Sequence, residues 1–64
     1  MIEIYLSGNI FYESSLTLNE FYNLMADDFI KPETFIQIPL SDGDTACVKK
    51  STVISFNNVI ESAK

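Results

Sequence analysis

Histidine and arginine are absent from this chain of 64 residues, and Cys47 is its single cysteine. A chain this short buries only about 60% of the surface that its unfolded form exposes, and small domains usually gain stability from disulfides, a structural metal or a partner chain. Cysteine pairs and histidine-containing metal sites cannot be built from this composition. We therefore expect one domain over residues 1–64, held by a small apolar core and stabilised as a homodimer or higher homo-oligomer.

The composition is that of a folded chain, because 47% of the residues are apolar and glycine and proline number two each. The N-terminal residues lack the basic and apolar regions of a secretory signal, and no apolar run approaches the ~20 residues that span a bilayer. A lone cysteine is typical of a reducing compartment. We expect a cytoplasmic protein without a membrane partner, and a virus-encoded protein acting inside a cell would look the same.

Two short N-terminal segments have the pattern of β-strands. Apolar and polar side chains alternate over Ile2–Leu6, and residues 10–12 are apolar or aromatic. A two-residue turn at Gly8 and Asn9 would make a hairpin, and a single strand bent by a bulge at Gly8 is the alternative. The hairpin pairs Tyr5 with Tyr12 and Leu6 with Phe11.

A helix is predicted over roughly residues 18–28. Thr17 and Glu20 have the spacing of a capping box, and Leu16 and Phe21 have that of a hydrophobic staple. The apolar positions that recur at helical spacing are Phe21, Tyr22, Met25 and Phe29. Asp27 and Asp28 fall at the negative end of the helix dipole, which is slightly unfavourable. Residues 31–33 include a proline and are predicted to form a turn.

A second hairpin is predicted around Asp42 and Gly43. A three-residue loop, Ser41 to Gly43 with Gly43 in the left-handed conformation, sets Ile36 and Ile38 opposite Val48 and Ala46. A two-residue loop would set them opposite Lys49 and Cys47. The first register unites the apolar side chains on one face, so we prefer it. The opposite face then carries Phe35, Gln37, Pro39, Thr45, Cys47 and Lys49.

Residues 52–56 are rich in β-branched side chains and are predicted to form a third strand that ends at Asn57 and Asn58. Val59 and Ile60 fit either a short strand or a helical turn. The fold class is α+β: an N-terminal strand or hairpin, one amphipathic helix and a three-stranded antiparallel meander, β-(β)-α-β-β-β, that could curl toward a small barrel. The Asp-Gly hairpin that ends in Lys49 and Lys50 resembles those of SH3-like and Sm-like barrels.

Most catalytic chemistry is excluded by the residues present. Without histidine, neither a histidine-based triad nor a histidine-containing zinc site can form. Cys47 lies between Ala46 and Val48 without a neighbouring base, so we expect a small packing residue. Gly8 and Gly43 are isolated turn residues and do not form a phosphate-binding loop. Ser41 to Asp44 lacks the ligand spacing of a calcium loop. We expect no enzyme activity, no cofactor and no metal.

Binding to another protein is the function class that remains. The net charge of −5, with a single adjacent lysine pair, disfavours direct contact with nucleic acid. We predict a small acidic non-enzymatic protein-binding module that regulates or inhibits its partner. The candidate partner-binding residues are Glu20, Asp27, Asp28, Glu33 and Phe35. One alternative is an inhibitor that imitates DNA with these carboxylates and binds a cationic DNA-binding enzyme. Another is a self-assembling structural or regulatory subunit.

Two stretches of the chain, residues 11–13 and 16–21, resemble the strand-to-helix junction of small acidic phage inhibitors of uracil-DNA glycosylase. The resemblance implies that carboxylates imitate a DNA backbone and that an apolar side chain enters a pocket of the enzyme. Phe21 is the residue of this chain at the position of that side chain, and it is also the predicted staple partner of Leu16.

Overall fold

The computed structural model describes residues 1–59 and contains five strands and one α-helix. The elements, in chain order, are β1 (Ile2–Leu6), β2 (Ile10–Ser14), α1 (Leu18–Ala26), β3 (Phe35–Pro39), β4 (Thr45–Lys49), a 3-10 turn (Lys50–Thr52) and β5 (Val53–Asn58). The α+β class and the order of elements are as predicted. The expectations for residues 60–64 lie outside the described part of the chain.

The strands form a three-stranded sheet, β2-β1-β5, and a two-stranded hairpin, β3-β4, and every pairing is antiparallel. β3, β4 and β5 follow one another along the chain as expected, but the 3-10 turn redirects the chain so that β5 pairs with β1 instead of β4. Asn57 and Asn58 continue β5 opposite Glu3 and Ile2, so the prediction that they end the strand is wrong. Pairing on both sides completes the hydrogen bonding of β1, whose apolar side chains are buried.

The two sheets meet at one corner. Ser14, the last residue of β2, forms an isolated bridge with Leu40, and the Ser15 N–H donates to the Pro39 carbonyl at 3.2 Å. The Ser41 N–H donates to the Glu13 carbonyl at 3.0 Å. Among residues 1–59 the two sheets do not close into a barrel, so the closure that the sequence left open is not found.

The first hairpin has a three-residue loop, Ser7 to Asn9, which confirms the hairpin over the bulge alternative. Gly8 and Asn9 both take left-handed conformations, with φ of 87° and 63°. The predicted register is wrong by one residue, because Leu6 lies opposite Ile10 and Tyr5 opposite Phe11. The predicted register would have set Ile4, which is fully buried, opposite Glu13 and drawn a carboxylate to the core face.

The second hairpin has the predicted register. Ile36 pairs with Val48 and Ile38 with Ala46, and all four side chains are buried. Gly43 has a φ of 96°, as the three-residue loop requires. Cys47 points away from the core and is exposed, so its prediction as a packing residue is wrong. Strand alternation explains this, since both neighbours of Cys47 face the core.

The helix packs on the apolar core through Phe21. Its capping box is confirmed, because Thr17 Oγ1 accepts from the Glu20 N–H at 3.1 Å and Glu20 Oε1 accepts from the Thr17 N–H at 2.9 Å. Phe21 is fully buried and packs edge-on against Phe56, with ring centroids 4.7 Å apart. The core residues are Ile2, Ile4, Leu6, Phe21, Ile36, Ile38, Ala46 and Val48.

Candidate partner-binding surface

The segment from Asp27 to Thr34, which joins α1 to β3, is called the acidic loop below. Asp27 ends the helix by taking an extended conformation, with φ −76° and ψ 113°. Its carboxylate accepts from the Phe29 N–H at 2.9 Å, and its carbonyl accepts from the Ile30 N–H at 3.1 Å. The Thr34 N–H donates to the Lys31 carbonyl at 3.0 Å. The acidic loop is therefore two consecutive hydrogen-bonded turns.

Lys50 fastens the acidic loop to the rest of the fold. Its Nζ donates to the Asp27 carbonyl at 2.9 Å and to the Ile30 carbonyl at 2.6 Å, and its backbone N–H donates to the Thr34 carbonyl at 3.0 Å. The next residue, Ser51, donates its N–H to the Pro32 carbonyl at 2.8 Å. The ammonium group supplies positive charge where the helix dipole is negative, which offsets the unfavourable position of Asp27 and Asp28.

Phe29 projects from the acidic loop and is 94% exposed. Its helical spacing from Met25 predicts a place on the apolar side of a longer helix, and this prediction is wrong because the helix stops at Ala26. The Asp27 side chain competes for the Phe29 N–H, as aspartate commonly does in turns. A phenyl ring with this exposure contributes almost nothing to the core of the chain.

Four of the five predicted partner-binding residues lie together. Asp27, Asp28 and Glu33 belong to the acidic loop, and Phe35 follows it at the start of β3, 64% exposed and opposite Lys49. Asp28 and Glu33 are exposed. Glu20 does not join them, because it lies in the first turn of a nine-residue helix about 13 Å long, where its carboxylate caps Thr17.

The outer face of the three-stranded sheet carries an aromatic pair, Tyr5 and Phe11, in addition to the buried pair Phe21 and Phe56. The predicted register did not place Tyr5 opposite Phe11, so this pair was not predicted. The rings of Tyr5 and Phe11 stack with centroids 5.7 Å apart, and the Tyr5 hydroxyl donates to Glu3 Oε1 at 2.8 Å. This hydrogen bond, with smaller contributions from desolvation and the Glu3 charge, raises the pKa of Tyr5 above its ordinary value. Glu3 also lies directly opposite Glu13, a pairing of like charges.

An open cleft of about 350 Å³ lies where β2 meets the second hairpin. Its lining residues are Phe11, Tyr12, Glu13, Leu40, Ser41 and Asp42. Its polar lining side chains are the hydroxyls of Tyr12 and Ser41 and the carboxyl groups of Glu13 and Asp42. Within residues 1–59, no group of three potential metal-ligating side chains converges.

The resemblance to uracil-DNA glycosylase inhibitors implied that Phe21 inserts into a partner. The structure contradicts this role, because Phe21 is fully buried under the sheet and its ring is held by Phe56. No family model, curated protein or solved structure matches the chain. No helix within residues 1–59 is long and apolar enough to cross a membrane.

Proposed function

We propose that this chain is a small acidic, non-enzymatic protein-binding module that contacts its partner through the acidic loop, with Phe29 at the centre of the contact. The observation that carries the proposal is a 94% exposed phenyl ring on a backbone that three hydrogen bonds from Lys50 hold in place. Aromatic side chains buried at the centre of an interface commonly supply a large share of its binding energy.

Covering the Phe29 ring in an apolar pocket contributes about 1.5–3 kcal/mol, relative to leaving it in water. The backbone that presents it is already ordered by the turns at Asp27 and Lys31, so little conformational entropy is lost on binding. Phe35 lies at the end of the same loop and extends the apolar contact onto β3. An ordered loop with one protruding ring suits insertion into a concave surface.

The net charge of the chain favours a cationic partner surface, although Lys31 is also exposed between the carboxylates of the acidic loop. Asp28 and Glu33 are exposed on the acidic loop, and the chain carries a net charge of −5. A pocket rimmed by lysine or arginine would be attracted from a distance, which speeds association at low salt. The narrower proposal of a DNA-mimic inhibitor of a cationic enzyme retains Asp27, Asp28 and Glu33 and loses Glu20.

A cytoplasmic location belongs to the proposal and is supported by the single cysteine.

The proposal is tested with a tagged chain of residues 1–64 in a lysate of the source cells. We compare the wild type with Phe29→Ser and with the matched control Tyr22→Ser, which removes a 57% exposed ring from the helix. The captured partner should be lost with Phe29→Ser and retained with Tyr22→Ser. Equal capture by all three chains would show that the acidic loop is not the binding surface.

The electrostatic part is tested on the purified partner by measuring the association rate against salt. Asp28→Asn combined with Glu33→Gln should slow association and flatten its salt dependence, whereas the hairpin variant Asp44→Asn should have a smaller effect. Competition with duplex DNA then separates the two proposals. A partner that releases DNA when it binds this chain supports the DNA-mimic inhibitor, and simultaneous binding of both excludes it.

A further inference from the structure

The open cleft between β2 and the second hairpin runs along the free edge of β2. Phe11, Tyr12 and Glu13 line it from both faces of the sheet, so the backbone of β2 forms its floor. The loop residues Leu40 to Asp42 form the opposite wall. The Ser41 N–H donates to the Glu13 carbonyl at 3.0 Å, and within residues 1–59 no bridge joins this loop to β2 beyond that point. The cleft is therefore a fork between two segments of backbone.

The backbone of Phe11 adds a hydrogen-bond acceptor to the floor of the cleft. In an antiparallel pair, the residues that bond to one neighbour alternate along the strand. The Glu13 carbonyl points away from β1 and accepts from Ser41, so the carbonyl of Phe11, two residues earlier, points to the same side. A group that enters the cleft therefore meets a backbone acceptor as well as side chains.

Each wall of the cleft carries a carboxylate. Glu13 is exposed on β2, and Asp42 is exposed in the loop. The Asp42 Oδ1 accepts from the Asp44 N–H at 3.1 Å, which orients the carboxylate and leaves its second oxygen for a ligand. The hydroxyls of Tyr12 and Ser41 can each accept a further hydrogen bond. The cleft is thus negatively charged and suits a ligand that has several donors.

An exposed aromatic ring borders these carboxylates. Phe11 is 53% exposed, and its ring stacks on Tyr5 with centroids 5.7 Å apart. Tyr5 belongs to β1, so the opposite face of the Phe11 ring lies on the side of the cleft. The face of an aromatic ring attracts cations. The stacking holds this ring in place before a ligand arrives.

The lysines within residues 1–59 lie at the other end of the second hairpin. Lys49 pairs with Phe35, about 14 Å along β4 from Thr45, which is next to the cleft loop. Lys50 binds the backbone of the acidic loop, and Lys31 belongs to that loop. The two carboxylates of the cleft therefore lack a lysine partner within the described residues, and a cation from another molecule can occupy the site.

We propose that this cleft binds the guanidinium group of an arginine side chain that belongs to a peptide segment of another protein. A guanidinium is planar and carries five N–H donors, so it can stack on an aromatic ring and donate to carboxylates at the same time. The chain itself contains no arginine, so a second copy cannot supply the group. The volume of about 350 Å³ is near the lower end of ligand sites, which suits a single side chain. The site is separate from the acidic loop and does not depend on Phe29.

The test is an NMR titration of the isotope-labelled chain with a capped alanine-arginine-alanine tripeptide at physiological salt. The amide signals of Phe11, Glu13, Ser41 and Asp42 should shift and saturate. The same peptide with citrulline has nearly the same shape without the charge and should cause no saturable shift. The peptide with lysine should bind at least about twofold more weakly, because an ammonium group neither stacks nor forms paired bonds to a carboxylate.

Variants of the chain locate the site. Asp42→Asn keeps an oxygen for the Asp44 N–H, and Glu13→Gln keeps the length of the side chain; each should weaken binding of the arginine peptide by about two- to fivefold. Phe11→Leu should weaken it by a similar factor, because the aromatic face is lost. Asp28→Asn in the acidic loop removes the same charge and is the matched control, which should leave the affinity unchanged. Far-ultraviolet circular dichroism should show that all variants are folded.

Free arginine separates a peptide site from a site for a small molecule. Its own carboxylate is repelled by Glu13 and Asp42, so it should bind more weakly than the capped peptide. Tighter binding of free arginine would overturn the assignment to a peptide segment. The proposal is also overturned if the arginine peptide causes no shifts at the cleft, if citrulline or lysine replaces arginine without loss, or if the combined variant Glu13→Gln and Asp42→Asn binds as tightly as the wild type.

Discussion

The ammonium nitrogen of Lys50 lies 2.9 Å from the carbonyl oxygen of Asp27, the residue at which the helix ends. The two residues are 23 positions apart, and the contact is partly buried. The Lys50 ammonium group therefore donates to the carbonyl at the end of the helix and also orders the acidic loop that presents Phe29. The stability of the fold and the shape of the proposed binding surface depend on the same side chain.

Replacing Lys50 with methionine keeps the aliphatic part of the side chain and removes the charge. We expect the free energy of unfolding to fall by about 1–3 kcal/mol, because two hydrogen bonds from a charged donor and a favourable dipole interaction are lost. Urea unfolding measures the change. Lys49→Met removes the same charge one residue away and should have a smaller effect, and equal losses for the two variants would contradict the role given to Lys50.

Ser14 joins the two sheets through a fully buried hydroxyl group. Its Oγ donates to the Pro39 carbonyl at 2.6 Å and accepts from the Leu16 N–H at 3.1 Å. Ser14→Ala should lower the free energy of unfolding by about 1–2 kcal/mol, because the Leu16 N–H loses its acceptor. The exposed neighbour Ser15 is the control, and thermal unfolding that does not distinguish Ser14→Ala from Ser15→Ala would refute the prediction.

Glu3 and Glu13 lie directly opposite each other on the outer face of the sheet. Glu13→Lys replaces repulsion with attraction across the strands and should raise the free energy of unfolding by about 0.2–1 kcal/mol. Glu33→Lys makes the same change of net charge away from the sheet, which controls for general repulsion. The gain of Glu13→Lys should also shrink in high salt, and a gain that is independent of salt would point to another cause.

The Tyr5 hydroxyl should ionise at a higher pH than an unperturbed phenol, because it donates to Glu3 and is repelled by that charge once ionised. The folded-state pKa lies above the unfolded value of about 10, so the contribution to stability is full below that value and is lost as pH rises through the folded pKa. Residue-resolved NMR titration should show the Tyr5 pKa falling in Glu3→Ala and falling less in Glu3→Gln, which keeps an acceptor. An unchanged pKa in Glu3→Ala would exclude the hydrogen bond as the cause.

The features predicted correctly from sequence are those determined by neighbouring residues. The capping box at Thr17 and Glu20 and the register of the second hairpin, including the left-handed Gly43, depend on short-range spacing and on the alternation of apolar side chains. The first hairpin shows the limit of that reasoning. The predicted register was chosen because it pairs Tyr5 with Tyr12 across the strands. The observed register is the one that keeps a carboxylate away from the buried Ile4 side chain.

The features that sequence could not predict depend on distant parts of the chain. Nothing near Lys50 indicates that its side chain reaches the end of the helix, and nothing in β5 indicates that its partner is β1. The exposure of Phe29 follows from where the helix ends, and its spacing with Phe21 and Met25 concealed this. The candidate residues Asp27, Asp28, Glu33 and Phe35 were predicted from charge and from their positions along the chain, and they remain predictions. Phe29, the more exposed aromatic side chain of the same region, was not predicted.

The central position of β1 has a consequence for how the chain folds. β1 is made before β5 and pairs with it, so that Ile2 lies opposite Asn58 and the ladder closes a loop of nearly the whole described chain. Closing so long a loop must precede most of the energetic gain, which slows folding relative to helical proteins of the same size. During synthesis, the first hairpin and the helix would form while the β1 backbone groups that face β5 still lack hydrogen-bond partners. The barrier to folding would fall only after β5 has been made and can pair with β1.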